Sequence, residues 1–208
     1  MALSEEQVVR YSRQILLTAV GGKGQAKLLE AGVLLTGEGA AQATAAAYLA
    51  AAGTKVSCRA RPVAAEEAGF LLSADDTGRP LAAMVRSALL DANPDALGLA
   101  VQVGSLGELP ASFSGPAPWV ALGWKGHRGA IVFRGTEGCA ACFEAEAASL
   151  SNGPASASAV LLGALGALAY QRLVLGLSEP LGGLWLEPSG ALTTMTGFGC
   201  SRHGENAR

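Results

Sequence analysis

Two short motifs, Cys139-x-x-Cys142 and Cys200-x-x-His203, carry the residue types of a four-coordinate zinc site. Thiolate sulfur and imidazole nitrogen are donors that zinc prefers, and two such pairs fill a tetrahedron with no position left open for catalysis. A fold can bring two distant loops together, so the predicted zinc is structural and ties a C-terminal hairpin to the rest of the chain. The alternative for the first pair is a redox dithiol of Cys139 and Cys142. A second stretch bears on phosphate chemistry. Gly32-Val33-Leu34-Leu35-Thr36 is an apolar run that ends in Gly37-Glu38-Gly39 and opens into the alanine-rich Ala43–Ala52. That is the strand–turn–helix context of a nucleotide-binding βαβ unit. Gly37 and Gly39 supply the tight turn and close backbone approach that a phosphate needs. The third glycine is missing because Gln42 stands there, and Glu38 brings a carboxylate toward the phosphate position. The turn reads as a degenerate nucleotide site.

Elements able to position these residues follow from composition and pattern. The 208 residues are 50% hydrophobic and 15% charged, enough for one domain with a large core. A net charge of −2 gives no basic footprint for nucleic acid and no polybasic face for membranes. The acidic, amphipathic N-terminus does not read as a signal peptide. The most apolar segment, Ala159–Leu177, includes Gln171, Arg172 and several glycines, and reads as a buried helix rather than a membrane span. Four cysteines without a secretory signal point to a reducing compartment, so the expected location is cytoplasmic.

In chain order, Ser4 and Gln7 form a capping box ahead of a helical pattern over residues 4–20. Gly21-Gly22-Lys23-Gly24 breaks it, and Gln25–Glu30 restarts a short helix. Val33–Thr36 reads as a buried strand, Ala40–Ala52 as a helix stopped by Gly53, and Lys55–Arg59 as a second strand. Pro62–Asp76 reads as a short helix plus loop. Leu81–Asn93 is an amphipathic helix stopped at Asn93-Pro94, followed by a strand over Leu97–Val103 and a surface loop over Gly104–Pro118. Trp119–Leu122 and Gly129–Phe133 are expected strands, Cys139–Cys142 a loop, and Ala159–Leu175 a helix. Gly182–Glu187 and Ala191–Thr196 form a hairpin turning at Pro188-Ser189-Gly190.

Arg10-Tyr11-Ser12-Arg13-Gln14-Ile15-Leu16-Leu17, Gly24-Gln25-x-Lys27-Leu28, the Gly37-x-Gly39 turn and Tyr48-Leu49-Ala50-x-Ala52-Gly53 together resemble the opening of the ubiquitin-activating-enzyme-like superfamily. The molybdopterin- and thiamin-biosynthesis adenylyltransferases are the most similar members. The likeness continues through Asn93-Pro94, Gly129–Phe133, the Cys139/Cys142 pair, the Leu165–Leu177 helix and Cys200-x-x-His203, and covers nearly the whole chain. It implies an α/β fold, Rossmann-like, with a mostly parallel sheet and helices on both faces. Residues 1–30 would be a helical arm, 31–135 the Rossmann-like part and 136–208 the zinc-linked part of a single adenylation-type domain. The family's zinc site has four cysteines, so His203 replaces one. The resemblance also implies a dimer that binds ATP and magnesium and adenylates the C-terminal carboxylate of a ubiquitin-like carrier protein. The arginine matching Arg13 reaches into the neighbour's ATP site.

The sequence departs from that pattern where the chemistry lies. Cys58-Arg59-Ala60-Arg61 replaces the aspartate-rich end of the second strand, Gly69-Phe70-Leu71 an Arg-Gln pair, and Leu81 the phosphate-contacting lysine. The family's Cys-Thr-Asp-Asn segment has no counterpart in Val101–Trp119, and Glu144–Ser158 contains no cysteine. Replacing metal carboxylates by arginine reverses the local charge, and loss of the lysine leaves triphosphate charge uncompensated. The expected function is therefore a pseudoenzyme, acting as dimer scaffold or as the supporting half of a heterodimer with an active homologous adenylyltransferase. Arg13 would be donated in trans, and a small carrier protein is a further candidate partner. Two rivals are a divergent active adenylyltransferase using Arg59, Arg61 or Arg79, and a binding module with another ligand in the old crevice. Arg10, Glu5, Glu6, Glu66 and Glu67 are expected on solvated surface, Cys58 as a core thiol, and His127 in an exposed turn. Trp119, Trp124 and Trp185 are expected in core or interface.

Overall fold

The computed structural model describes residues 2–37, 39–58, 62–67, 72–98, 100, 102–107, 118–151 and 157–198. Ser4 caps helix α1 (Glu5–Arg10), with Gln7 N–H donating to Ser4 Oγ at 3.2 Å and Ser4 N–H to Gln7 Oε1 at 3.1 Å. Tyr11 interrupts the helix, and α2 (Ser12–Ile15) and α3 (Gly21–Glu30) follow. The glycine string expected to break the pattern instead opens α3. Gly21 turns the chain at φ +57°, and a Cβ on Gly24 would stand 2.9 Å from Leu175 Cδ2, so close packing requires that glycine.

A seven-stranded sheet follows, in the order β2-β1-β3-β4-β5-β6-β7. Its strands are β1 (Ala31–Leu35), β2 (Lys55–Cys58), β3 (Gln102–Gly107), β4 (Trp119–Lys125), β5 (Arg128–Arg134), β6 (Leu181–Leu186) and β7 (Leu192–Thr194). The sheet is mixed rather than mostly parallel. β2, β1, β3 and β4 run parallel, whereas β4 to β7 form an antiparallel meander. The meander arises because β4 and β5 join through the two-residue turn Gly126-His127, with Lys125 opposite Arg128, and β6 and β7 through the expected Pro188-Ser189-Gly190 turn. Parallel strands need a long crossover, which such turns exclude.

β3 begins five residues later than its expected start at Leu97. The apolar Leu97 instead closes a 3-10 turn over Pro94–Ala96. The true strand, Gln-Val-Gly-Ser-Leu-Gly, looks unpromising because close approach selected its small residues. A Cβ on Gly104 would lie 2.2 Å from the Pro118 carbonyl oxygen and 2.4 Å from the Tyr170 hydroxyl.

Helices cover both faces of the sheet, and the period of two along the strands decides which residue faces which layer. Val120, Leu122, Ile131 and Leu186 join a core with α4 (Ala40–Ala51) and α7 (Ala157–Leu175), whereas Trp119, Ala121, Ala130 and Val132 pack with Phe143 of α6 (Ala140–Ala147). A third cluster, around Leu81, Val85 and Leu89 of α5 (Leu81–Ala92), closes the β2 end against Val63 and Leu72. α7 is long and apolar enough to cross a membrane by length and composition, but Leu162, Ala167 and Tyr170 bury its inner side against the sheet. Small residues let α7 lie against α4: a Cβ on Gly163 would meet the Ala41 carbonyl oxygen at 2.1 Å.

Candidate functional site

β1 lies between β2 and β3, so chain order reverses beside it. Open α/β sheets form their ligand crevices at such a switch point, beyond the carboxyl ends of the strands. The Gly37 turn lies there. Thr36 N–H donates to Leu106 O at 3.0 Å, which draws the end of β1 against β3, and Gly39 at φ +86° sets the entry into α4. No side chain caps that helix N-terminus.

The Gln42 side chain occupies the space in front of the turn. It is 4% exposed. A Cβ on Gly37 would stand 2.8 Å from its Nε2, and a Cβ on Gly107, the last residue of β3, 2.1 Å from the same atom. The remaining cavity is about 10 Å³, lined by Leu35, Gly37, Gln42, Ala43, Ala46, Glu67, Leu72, Leu81 and Val85. A single water needs at least about this volume, so nothing larger enters this cavity. Among these lining residues none is cationic. Glu67 is 2% exposed and accepts from Ala64 N–H at 2.9 Å, a correction to the solvated face expected for it. Gln42 Oε1 is buried without a hydrogen-bond partner among the described residues, an arrangement that costs about 1–3 kcal/mol.

The other candidates are scattered. Arg13 lies exposed on α2, without an ion-pair partner among the described residues. Arg79 pairs with Asp76 at 3.1 Å. Cys58 ends β2 half-buried between two core clusters. His127 stands in the exposed turn expected for it. Trp119 is buried, with the Arg134 guanidinium 4.4 Å from its ring centroid, and Trp185 is half-buried beneath Arg128 at the same distance. Glu38, Arg59 and Arg61 lie outside the described residues.

Cys139 is the N-cap of α6 and Cys142 is buried in its first turn, so this segment is a helix start rather than the expected loop. Positions three apart face the same side of a helix, which fits two ligands of one metal. Cys200 and His203 lie outside the described residues, and among those described no three His, Cys, Asp or Glu side chains are grouped for a metal.

The Arg-Tyr string and Asn93-Pro94 meet in space. The buried Tyr11 hydroxyl donates to Asp95 Oδ2 at 3.0 Å and accepts from Asn93 Nδ2 at 2.9 Å. Arg10 is exposed, as expected, and ion-paired to Asp95, and Gln7 Nε2 donates to Asp95 Oδ1 at 3.1 Å. Lys55 Nζ donates to the Leu29 and Asp95 carbonyls at 2.7 and 2.9 Å. Burial pushes the Tyr11 phenol up to about 12, and its hydrogen bond with Asn93 opposes the shift. For Asp95 burial acts upward, but hydrogen bonds from Gln7, Tyr11 and Arg10 prevail and hold the carboxyl below its ordinary range. A depressed carboxylate contributes stability that is fully present above its unfolded value, about pH 4, and is lost as pH falls through the folded value. Asp95→Asn is therefore expected to flatten the acid limb of thermal melts recorded from pH 6 to 2. Tyr11→Phe is expected to cost about 1–2 kcal/mol, read as a lower urea midpoint.

No protein-family model matches the chain. Among curated proteins, it is 49% identical over 51 residues to the adenylyltransferase and sulfurtransferase MOCS3 of Anopheles gambiae, covering 24% of this chain and 12% of that protein. It is 34% identical over 110 residues to the sulfur carrier protein ThiS adenylyltransferase of Escherichia coli, covering 51% and 44%. Protein HesA of Trichormus variabilis is 36% identical over 97 residues, covering 45% and 37%. The matched segment spans less than half the length of each of these relatives. Among solved structures, PaaA superposes with a TM-score of 0.70 at 15% identity, covering 93% of this chain and 84% of that one. E. coli MccB with MccA superposes at 0.67 and 18%, covering 93% and 72%. These two share its fold. With its N-terminal Arg-Tyr-x-Arg-Gln string and its glycine turn at the β1/β3 switch point, the chain is similar in sequence to these ThiF/MoeB-like adenylyltransferases over up to about half of its length.

Proposed function

We propose that this protein is a catalytically degenerate member of the superfamily, a dimer scaffold or the supporting half beside an active adenylyltransferase of a ubiquitin-like or sulfur-carrier protein. The observation that carries this reading is the crevice at the Gly37 turn, filled by Gln42 and bordered by the buried carboxylate of Glu67, with no cation among the described residues that line the cavity there. A triphosphate placed there would have to displace the Gln42 amide and bring its negative charge beside a buried carboxylate. The outward surface supports an interface role. Val8, Val9, Leu16 and Leu17 are 47, 75, 82 and 57% exposed on the N-terminal segment that carries Arg13. Apolar side chains concentrated around an exposed arginine suit a protein contact. In this reading Arg13 serves the partner's nucleotide, and Cys139, Cys142, Cys200 and His203 hold a structural zinc.

Titration of the zinc-loaded protein with MgATP tests the core of the proposal. No binding heat, and no ATP–pyrophosphate exchange with added carrier proteins, is the expected result. Micromolar binding, or exchange by the chain alone, overturns it. In a reconstituted pair, Arg13→Ala is expected to lower the active partner's exchange rate about tenfold while leaving the variant's own melting temperature unchanged. An unaltered rate removes the donated-arginine role.

A further inference from the structure

The other end of the sheet carries a larger cavity, of about 490 Å³. Small-molecule sites typically measure roughly 300–1,000 Å³. Ala31 at the start of β1, Pro118 just before β4, Gly135 just after β5 and Pro180 just before β6 border it. Strand directions place all four at the end of the sheet opposite the Gly37 turn. The chain leaving α7 is fastened on both sides of the cavity. Gly135 N–H donates to Pro180 O at 2.8 Å, and Arg172 donates from Nη2 to Leu177 O at 2.7 Å and from Nε to Ser178 Oγ at 3.3 Å. A wall held in this way is formed before a ligand arrives, so little binding energy is lost in ordering it.

The lining divides by chemistry. Pro118, Pro180, Leu173 and Val174 supply apolar surface, and Tyr170 adds its ring, since its hydroxyl is engaged by Gly32 and Gly104. Both signs of charge are present: Lys27 and Glu30 lie one turn apart on α3, and Glu137 follows β5. Lys27 and Glu137 are exposed and make no ion pair among the described residues. The C-terminal ends of α3 and α7 border the same cavity, and such ends favour positive charge. A lone acid would therefore meet two carboxylates and two unfavourable helix ends, and a lone amine would leave Lys27 as a like charge. A zwitterion uses every group. We propose that this cavity binds a free α-amino acid with an apolar side chain, its ammonium on the Glu30 and Glu137 side and its carboxylate at Lys27. The inference goes beyond the degenerate-site reading and stands or falls apart from it.

The test is calorimetric titration of the full chain with L-leucine and L-phenylalanine, and with phenethylamine and 3-phenylpropanoate. The last two keep the apolar body of phenylalanine but lack its carboxylate or its ammonium. At least tenfold tighter binding of one of the amino acids than of either single-charge probe is the expected result. Lys27→Met is expected to weaken the amino acid at least tenfold without weakening phenethylamine. Glu137→Gln should weaken the amino acid and phenethylamine but not 3-phenylpropanoate. Gly135→Phe is the occluding variant, because a Cβ there makes only ordinary contacts, 3.6 Å from Leu173 Cδ2 and 3.7 Å from Pro180. It should abolish binding, with thermal melts establishing that each variant is folded. No saturable heat from either amino acid at millimolar concentration overturns the proposal. So does phenethylamine or 3-phenylpropanoate binding as tightly as the amino acid, or binding that a folded Gly135→Phe retains.

Discussion

Gly163→Ala is expected to destabilise the protein by about 3 kcal/mol, at the upper end of overpacking costs, and Gly163→Val to prevent folding. The added Cβ would meet the carbonyl oxygen, carbonyl carbon and Cα of Ala41 at 2.1, 2.8 and 2.9 Å. All three are backbone atoms, so no rotamer change relieves the contact. α4 has little freedom to withdraw, because Ala45, Ala46 and Leu49 behind Ala41 are at most 1% exposed. Gly166 on the same helix is the internal comparison. A Cβ there meets only Leu122 methyl groups, at 2.6 and 2.9 Å, and a leucine side chain can turn aside. Gly166→Ala should cost about 1–2 kcal/mol. Guanidinium unfolding of the two variants measures the difference, and a Gly166→Ala effect equal to or larger than that of Gly163→Ala would contradict the backbone-limited packing of α4 on α7.

Tyr170→Phe is expected to cost about 3 kcal/mol, although the ring itself is retained. The buried hydroxyl donates to Gly32 O and accepts from Gly104 N–H at 3.1 Å, so one oxygen links neighbouring strands to α7. Removing it takes one hydrogen-bond partner from a buried carbonyl and one from a buried N–H of two central strands, at about 1–3 kcal/mol each. Burial pushes this phenol's pKa upward against the effect of the Gly104 bond, so it stays protonated and able to donate throughout the neutral range. For a chain of this size the loss corresponds to roughly 6–12 °C in melting temperature. A shift below about 2 °C would mean that water or backbone relaxation satisfies the two groups.

How much could be read from the sequence depended on how local the governing interaction is. The Ser4/Gln7 capping box, the Gly37-x-Gly39 turn, the Gly53 stop and the Ser189-Gly190 turn obey rules spanning a few residues, and each stands where expected. β3 was misplaced because hydrophobicity favours Leu97–Val101, whereas the sheet selects small residues that admit Pro118 and Tyr170. The glycines opening α3 resembled a break because the partner that requires Gly24, Leu175, is remote in sequence. At the crevice, the missing third glycine was visible. That its replacement would fill the space in front of the turn was not, since Gly107 on another strand borders that space. Arg10 lies on the surface as expected, but its ion pair was not legible because Asp95 lies 85 residues away. Glu67 left a faint local signal, since a carboxylate accepting from the N–H three residues earlier is the reciprocal half of a capping box.

The Tyr170 link also orders events during synthesis. The Gly32 carbonyl is made early, and the hydroxyl that satisfies it is added 138 residues later. At typical rates of translation the nascent β1 therefore waits on the order of ten seconds for this partner. β3, β4 and β5 emerge from the ribosome before α7 can cover them, leaving Leu106, Leu122 and Ile131 open to holdase chaperones or to other nascent chains. Ribosome-bound intermediates arrested before residue 157 should be protease-sensitive throughout the sheet, and those extended past β6 resistant. The long helix that resembles a membrane span by composition is, on this view, the piece that ends the chain's period of vulnerability.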